Sequence, residues 1–334
     1  MDAPPGSPFK LVAELPGILE FTGEFGAEVN SFIPFVYWLH QTGLMRDRWI
    51  RTYAGMRAFY FFLGDRQILE KSEPRQFVWP AQRPLWLPTR DDHASLRSPF
   101  EMFPDYRAHY RDGSFETAKP LLIVHNKYSV EWGQRPINYL PPELLWHVFE
   151  ELGERFQIVY LRPGVLGGEP AGYSGDHQPD LAFGDLDVVR HFSDVWLFDE
   201  LAREIRPRAD YNELKLRLYA HAWFHLTAQG GNAHLAALFS GGMVTILHRF
   251  GQEIRHSYRH GHFGYAAHPT PSYLICRTVE EVMEAVSALG MCGVGGGRVL
   301  VPPACAATLS ALSPEAQCGA DRMVPDEEAV PAAA

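Results

Sequence analysis

Residues 225–239 read HLTAQGGNAHLAALF. Two glycines and a run of small polar residues separate an apolar run from a short helical pattern, and a second apolar run, MVTILH, follows at 243–248. The corner residues Gln229, Gly230, Gly231 and Asn232 suit an anion site. Glycine lets backbone approach a phosphate with no Cβ in the way, and a helix N-terminus supplies unpaired N–H groups. The same residues also suit a plain strand-to-helix turn, with Asn232 as the helix cap. Other spacings point to less. Asp185 and Asp187 form a D-x-D, which needs further oxygen ligands before it holds a metal. His256, His260 and His262 share one segment, but no cysteine or glutamate is spaced to complete a zinc site. No metal is therefore expected. The aromatic run Phe59 to Phe62 reads as core. G-x-S-x-G and G-x-x-x-x-G-K are both missing from the sequence, which removes the hydrolase and P-loop phosphotransferase readings at motif level.

Chemistry at such a corner depends on strands that end together. PGILEFT (16–22) is a short apolar strand, GEFGAE is a glycine loop, and 29–43 carries apolar residues on one helical face, with Pro34 near its first turn. Residues 50–63 read as strand, turn, then strand or helix. From 73 to 119 prolines recur and periodicity is lost, so a long irregular linker or lid is expected. A clean alternation begins at Pro120. PLLIVHN is a buried parallel strand, 140–156 an amphipathic helix, and QIVYLRP the next strand. A Gly- and Pro-rich loop fills 164–184. LDVVRHF follows, and DVWLFDEL reads as a strand. Asp210 with Glu213 forms a capping box ahead of the next helix, and WFHLTA (223–228) is a strand. NAHLAALF reads as a short helix, and Thr278 with Glu281 opens the last clear one. The chain from 291 to 334 is rich in Gly, Ala and Pro and reads as a weakly ordered tail.

The chain has 334 residues, 46% apolar and 21% charged, with a formal net charge of −10. That is a globular composition, and its acidity argues against nucleic acid as a partner. Cys276, Cys292, Cys305 and Cys318 form no C-x-x-C pair, as expected of reduced thiols. The N-terminus lacks the halves of a signal peptide, and no apolar run reaches the roughly 18 residues of a membrane span. A cytoplasmic protein with no transmembrane segment is the expectation.

The corner and its surroundings resemble the nucleotide-sugar site of GT-B glycosyltransferases, in particular heptosyltransferase-like members. Thr227, then Gly230 and Gly231, then His234-Leu235-Ala236-Ala237, then Ile246, Leu247 and Phe250-Gly251 follow that order. PLLIVHNKY is similar to the first strand of the nucleotide-binding half. ILEFTGEFGAEVNSFIPFVYWL is similar to the opening of the acceptor half, and its glycine loop is also similar to fucosyltransferase-like members. The resemblance covers about residues 18–43 and 120–251.

It implies an α/β fold of two Rossmann-like lobes facing across a cleft, the N-terminal one short. Residues 1–118 would form the acceptor-side lobe with its Pro-rich linker, and 119–290 the nucleotide-sugar lobe. The implied activity is metal-independent transfer of a sugar from a nucleotide sugar to an acceptor hydroxyl, with no cofactor besides that donor. Leaving-group stabilisation would fall to Lys127, Arg162, His234 and the 230–234 amides, with Thr227, Gln229 and Asn232 around them. The base would be Glu28 or Glu24, or His125 from the facing half. A nucleotide-sugar epimerase or hydrolase of the same fold, and a non-catalytic sugar- or nucleotide-binding protein, are the alternatives.

Overall fold

The computed structural model describes residues 15–73, 75, 102–128, 136, 138–166, 182–205, 210–239, 243–247, 272–290, 293–295 and 298–300. The first lobe opens with strand β1 (Ile18–Glu20) and helix α1 (Phe25–Ala27). A π-helical turn at Glu28–Phe32 leads into α2 (Ile33–Gln41). Pro34 has no N–H to donate, and ahead of it Ile33 N–H reaches back five residues to Glu28 O, the π register. Strand β2 (Trp49–Tyr53), a 3₁₀ turn at Arg57–Tyr60 and β3 (Ile68–Lys71) complete the lobe. Its sheet has three parallel strands in the order β1-β2-β3.

Helix α3 (Tyr106–Tyr110) precedes the second lobe. This part of the expected irregular linker is docked rather than loose. Tyr106 is fully buried and donates to Phe59 O at 2.9 Å, and Arg107 Nε donates to Ala220 O at 3.0 Å. Five residues are too few to show a helical period, so tertiary contacts hold the turn.

The second lobe comprises β4 (Leu121–His125), α4 (Pro142–Leu152), β5 (Gln157–Leu161), α5 (Asp185–His191), β6 (Trp196–Leu197), α6 (Phe198–Ile205), α7 (Tyr211–His221), β7 (Phe224–Ala228), α8 (Gly231–Ala237), β8 (Met243–Leu247), β9 (Ser272–Cys276) and α9 (Val279–Gly290). Its six strands are all parallel, in the order β6-β5-β4-β7-β8-β9. Strand order reverses between β4 and β7, the topological switch point at which α/β sheets bind ligands. DVWLFDEL, expected as a strand, pairs over only Trp196 and Leu197 before the chain coils into α6. The expected caps form by their forward bonds: Asp210 Oδ1 accepts from Glu213 N at 2.6 Å and Thr278 Oγ1 from Glu281 N at 3.2 Å, while the Glu213 carboxylate accepts from Arg217 instead of closing a capping box. After Gly290, where a weakly ordered tail was expected, β10 (Gly293–Gly295) and β11 (Arg298–Leu300) pair antiparallel.

The sheet separates two cores. On one face Leu122, Val124 and Tyr160 pack with Leu145, Val148 and Phe149 of α4 and Val282 and Val286 of α9. On the other, Leu121, Ile123 and Val159 join α7, α8 and the whole interior of the first lobe in one continuous cluster. The two lobes therefore share a core, and α1 lies against α8 at the carboxyl ends of β4 and β7.

Candidate functional site

The last residue of β4, His125, is 2% exposed. Its Nδ1 lies 2.5 Å from the Tyr219 hydroxyl of α7, and its Nε2 is buried with no hydrogen-bond partner among the described residues. Burial, and then the positive charges of Lys215 and Lys127 among its neighbours, hold its pKa well below the usual histidine value, so the ring is neutral. Asn126 ties down the next turn. Its Oδ1 accepts from Lys127 N at 2.9 Å and Leu140 N at 2.8 Å, and its Nδ2 donates to Leu140 O at 2.9 Å. That fixes the backbone from which Lys127 extends. The ammonium of Lys127 reaches the β7 side, 3.0 Å from where a Cβ on Gly230 would stand.

At the end of β7, Thr227 and Gln229 are each 1% exposed. Gln229 N donates to Leu247 O at 2.9 Å, and its Oε1 is buried without a partner among the described residues. Asn232 does not cap α8. The helix starts one residue earlier, after Gly230, whose φ of 140° favours glycine. Gly231 has a different reason to be small. A Cβ there would lie 2.7 Å from Phe25 Cδ1, 3.1 Å from Gly26 N and 3.3 Å from Gly26 Cα. Backbone of the first lobe occupies that space. His234, expected near phosphate, joins the same contact: Asn30 Nδ2 donates to its Nδ1 at 2.6 Å.

Glu28, the expected base, lies inside the first lobe at 0% exposure. Tyr60 donates to its Oε1 at 2.7 Å, Thr52 donates to the same oxygen, and Arg75 Nη2 donates to Oε2 at 2.6 Å. Both oxygens of this carboxylate are thus committed to donors inside the first lobe. Burial, and then the charge of Glu28, push the Tyr60 phenol well above its usual pKa. Glu24, half-buried, precedes α1 but does not cap it.

Arg162 is likewise engaged. At 4% exposure it donates from Nε to Asp185 Oδ2 at 2.6 Å and from Nη2 to Asp185 Oδ1 at 3.0 Å. Tyr160 adds a bond to Asp185 Oδ2 at 2.5 Å, and Asn126 Nδ2 donates to the Tyr160 hydroxyl at 3.1 Å. The expected phosphate ligand is thus a bidentate partner of the first aspartate of the D-x-D, and the network braces the Asn126 turn. Among the described residues no group of three or more His, Cys, Asp or Glu side chains is placed to hold a metal.

Two cations that the sequence reading passed over complete the site. Arg75 Cζ lies 5.6 Å from the centroid of the Phe25 ring and 4.3 Å from that of Tyr53. Lys215 of α7 is 1% exposed, with Nζ 5.1 Å from the Phe25 centroid and 5.8 Å from that of Phe59. Its signal was present in the helix pattern: Tyr211, Leu214, Lys215, Leu218 and Tyr219 are all buried on one stripe, and a lysine there faces inward. Arg75 carried no such signal, because it lies in the proline-rich segment without periodicity.

Phe250, Gly251, His256, His260 and His262 lie outside the described residues, as does most of the tail. Among the described residues no helix is long and apolar enough to cross a membrane. No family model matches the chain, and neither does any curated protein sequence. Among solved structures it is similar to the crystal structure of a glycosyl transferase family 9 protein from Veillonella parvula. Identity is 11%, covering 91% of this chain and 95% of that one, with a TM-score of 0.45.

Proposed function

We propose that the protein is a GT-B-type glycosyltransferase that takes a sugar from a nucleotide-sugar donor, without a metal, and passes it to an acceptor hydroxyl. The observation that carries this reading is the convergence of polar groups at the switch point. Lys127 crosses from the end of β4 to Gly230 after β7, and two buried polar atoms there, His125 Nε2 and Gln229 Oε1, have no partner among the described residues. Buried polar atoms without partners are costly, and a ligand that pairs with them offsets that cost. The ammonium of Lys127 suits a diphosphate, and the acceptor oxygen of Gln229 suits a hydroxyl or N–H of the donor.

In this reading the leaving diphosphate is stabilised by Lys127 and the neutral His125 ring, in a site walled from water by α1. In the same reading Glu24, at the head of α1, takes the acceptor's proton. Glu28 acts through structure: its pairing with Arg75, Tyr60 and Thr52 fixes the turn from which α1 projects. Arg162 acts similarly, through Asp185, Tyr160 and Asn126, on the turn that carries Lys127.

Thermal-shift titration with UDP, GDP and ADP tests the reading, on wild type and on Lys127→Met. A ligand at 100 times its Kd stabilises the folded state by about 2.7 kcal/mol. The expected outcome is a shift with one base and a weaker one in Lys127→Met. No shift with any of the three in wild type sinks the transferase reading and leaves a protein whose corner serves only as a turn.

A further inference from the structure

We propose that Lys215 is a second diphosphate ligand, the inner partner of Lys127 across the switch point. The inference rests on the nucleotide-sugar reading and adds to it a residue and a linked proton. Four observations place Lys215 there. It projects from the inward stripe of α7 and is 1% exposed. Its Nζ lies 5.1 Å from the centre of the Phe25 ring, and Phe25 is the side chain packed on Gly231. Tyr219, one turn further along the same stripe of α7, lies 2.5 Å from His125 Nδ1, and His125 registers the charge of both lysines. And His125 Nε2, on a side chain at 2% exposure, is buried there with no partner among the described residues. Lys215 is thus linked to the corner by Phe25 on Gly231 and by Tyr219 on His125, and Lys127 reaches the same corner at Gly230. Where the Tyr219 hydroxyl donates to Nδ1, the ring carries its proton on Nε2 and offers a further donor there.

The charges facing Lys215 decide how this site responds to a ligand. Arg75 faces it from beside β3 and repels it, with the carboxylate of Glu28 behind Arg75. His125 faces it from β4 and is neutral. Asp210, at the head of α7 itself, attracts it. From α3, Arg107 is committed to the far end of the helix, at Ala220 O and Ala222 O. The 3₁₀ turn contributes the Phe59 ring. Burial, and then Arg75, pull the Lys215 ammonium down to about 7. In the absence of a ligand the amine is therefore mostly neutral at pH 8. A bound diphosphate adds negative charge beside it and draws a proton onto it. Binding and proton uptake are linked, and the uptake is a property of the pocket itself.

Calorimetric titration with UDP, GDP and ADP in Tris and in HEPES, at pH 6 and pH 8, reads this directly, because the buffers differ in ionisation enthalpy. For a group titrating at about 7 in the free protein and charged in the complex, the group itself takes up roughly nine-tenths of a proton at pH 8 and roughly a tenth at pH 6, where the partly protonated terminal phosphate of the nucleotide releases protons as well. Lys215→Arg, always charged, is expected to bind the nucleotide with no uptake at pH 8. Lys215→Met is expected to lose uptake and to bind at least ~10-fold more weakly. The wild-type comparison between pH 8 and pH 6 needs no variant, so the proposal stays testable if a variant does not fold. Binding without proton uptake in wild type at pH 8, or undiminished uptake in Lys215→Arg, overturns the role of Lys215 and leaves the nucleotide reading standing. Binding of none of the three nucleotides in either buffer overturns both.

Discussion

Replacing Gly231 by alanine sets two physical effects against each other. Gly231 is the first residue of α8 and its φ is not positive, so alanine is permitted there by backbone conformation. Helix propensity alone favours the change, by up to about 1 kcal/mol in a helix interior and less at the first position. Packing opposes it. The new methyl would stand 2.7 Å from Phe25 Cδ1, 3.1 Å from Gly26 N and 3.3 Å from Gly26 Cα. Two of those atoms are backbone and cannot rotate away, and Phe25 is itself wedged edge-on against Phe59 at 5.6 Å. Overpacking of this kind costs about 1–3 kcal/mol. The net expectation is a loss of about 1–2 kcal/mol, or a few degrees in Tm for a chain of this order. The reciprocal change is a control. A Cβ on Gly26 would meet Gly231 Cα and His234 Cδ2 at 3.4 Å, ordinary contact, so Gly26→Ala should be nearly neutral. Urea melts of both variants, followed by intrinsic fluorescence, provide the assay. Equal or greater stability of Gly231→Ala relative to wild type would refute the argument, because propensity would then have won and the lobes could not be in backbone contact there.

The buried carboxylates and the buried histidine support further expectations. Glu28→Gln takes the buried carboxylate away from Arg75, itself 2% exposed, and should cost about 3–5 kcal/mol in urea unfolding, whereas Tyr60→Phe removes one bond to a charged group and should cost about 1.5–3 kcal/mol. Arg162→Met should be similarly costly alone, but adding Asp185→Leu should recover much of the loss; a strictly additive double mutant would contradict the buried pair. His225 is held down to about 3 by burial and then by Arg107, so between about pH 3 and 6.5 the unfolded chain binds the extra proton. Stability should therefore rise with pH across that window, by up to about 1.4 kcal/mol per unit. His225→Leu should flatten that part of the wild-type curve, and an unchanged slope would mean the ring is charged in the fold.

Much of the second lobe was legible because its signals are local. A continuous apolar run such as LLIVH, an apolar stripe such as Leu144, Leu145, Val148, Phe149 and Leu152, and caps such as Asp210 with Glu213 are all decided within a few residues of chain. Local signals failed where an element is very short. Trp196-Leu197 supplies only two residues of strand, and the apolar run around it looks the same whether it pairs or coils. Tyr106–Tyr110 owes its place to partners 47 and 113 residues away in sequence, which periodicity cannot register. The candidate site divides the same way. The strand-end positions of His125, Lys127, Thr227 and Gln229 follow from strand boundaries. The engagement of Glu28 by Arg75 and of Arg162 by Asp185 does not, because an ion pair across 47 or 23 residues leaves no spacing rule behind.

The glycine pair at 230–231 shows why neither simple account of such a corner is sufficient. A turn requires permissive backbone, and Gly230, with φ at 140°, has that requirement. An anion site requires a cation over bare backbone, and Gly230 has that as well, in Lys127. Gly231 meets neither description. The space its side chain would take is filled by Phe25 and Gly26 from the other lobe. One glycine therefore answers to the site and its neighbour to lobe packing. The two positions make different demands on any substitution: at Gly231 a larger residue tests the contact between lobes before it tests a ligand, and a lost ligand response there would be ambiguous. Lys127 and Lys215 escape that ambiguity, since methionine retains most of either side chain's length and removes the charge. A ligand response that depends on the two lysines and survives Gly26→Ala would separate the chemistry of the corner from its packing.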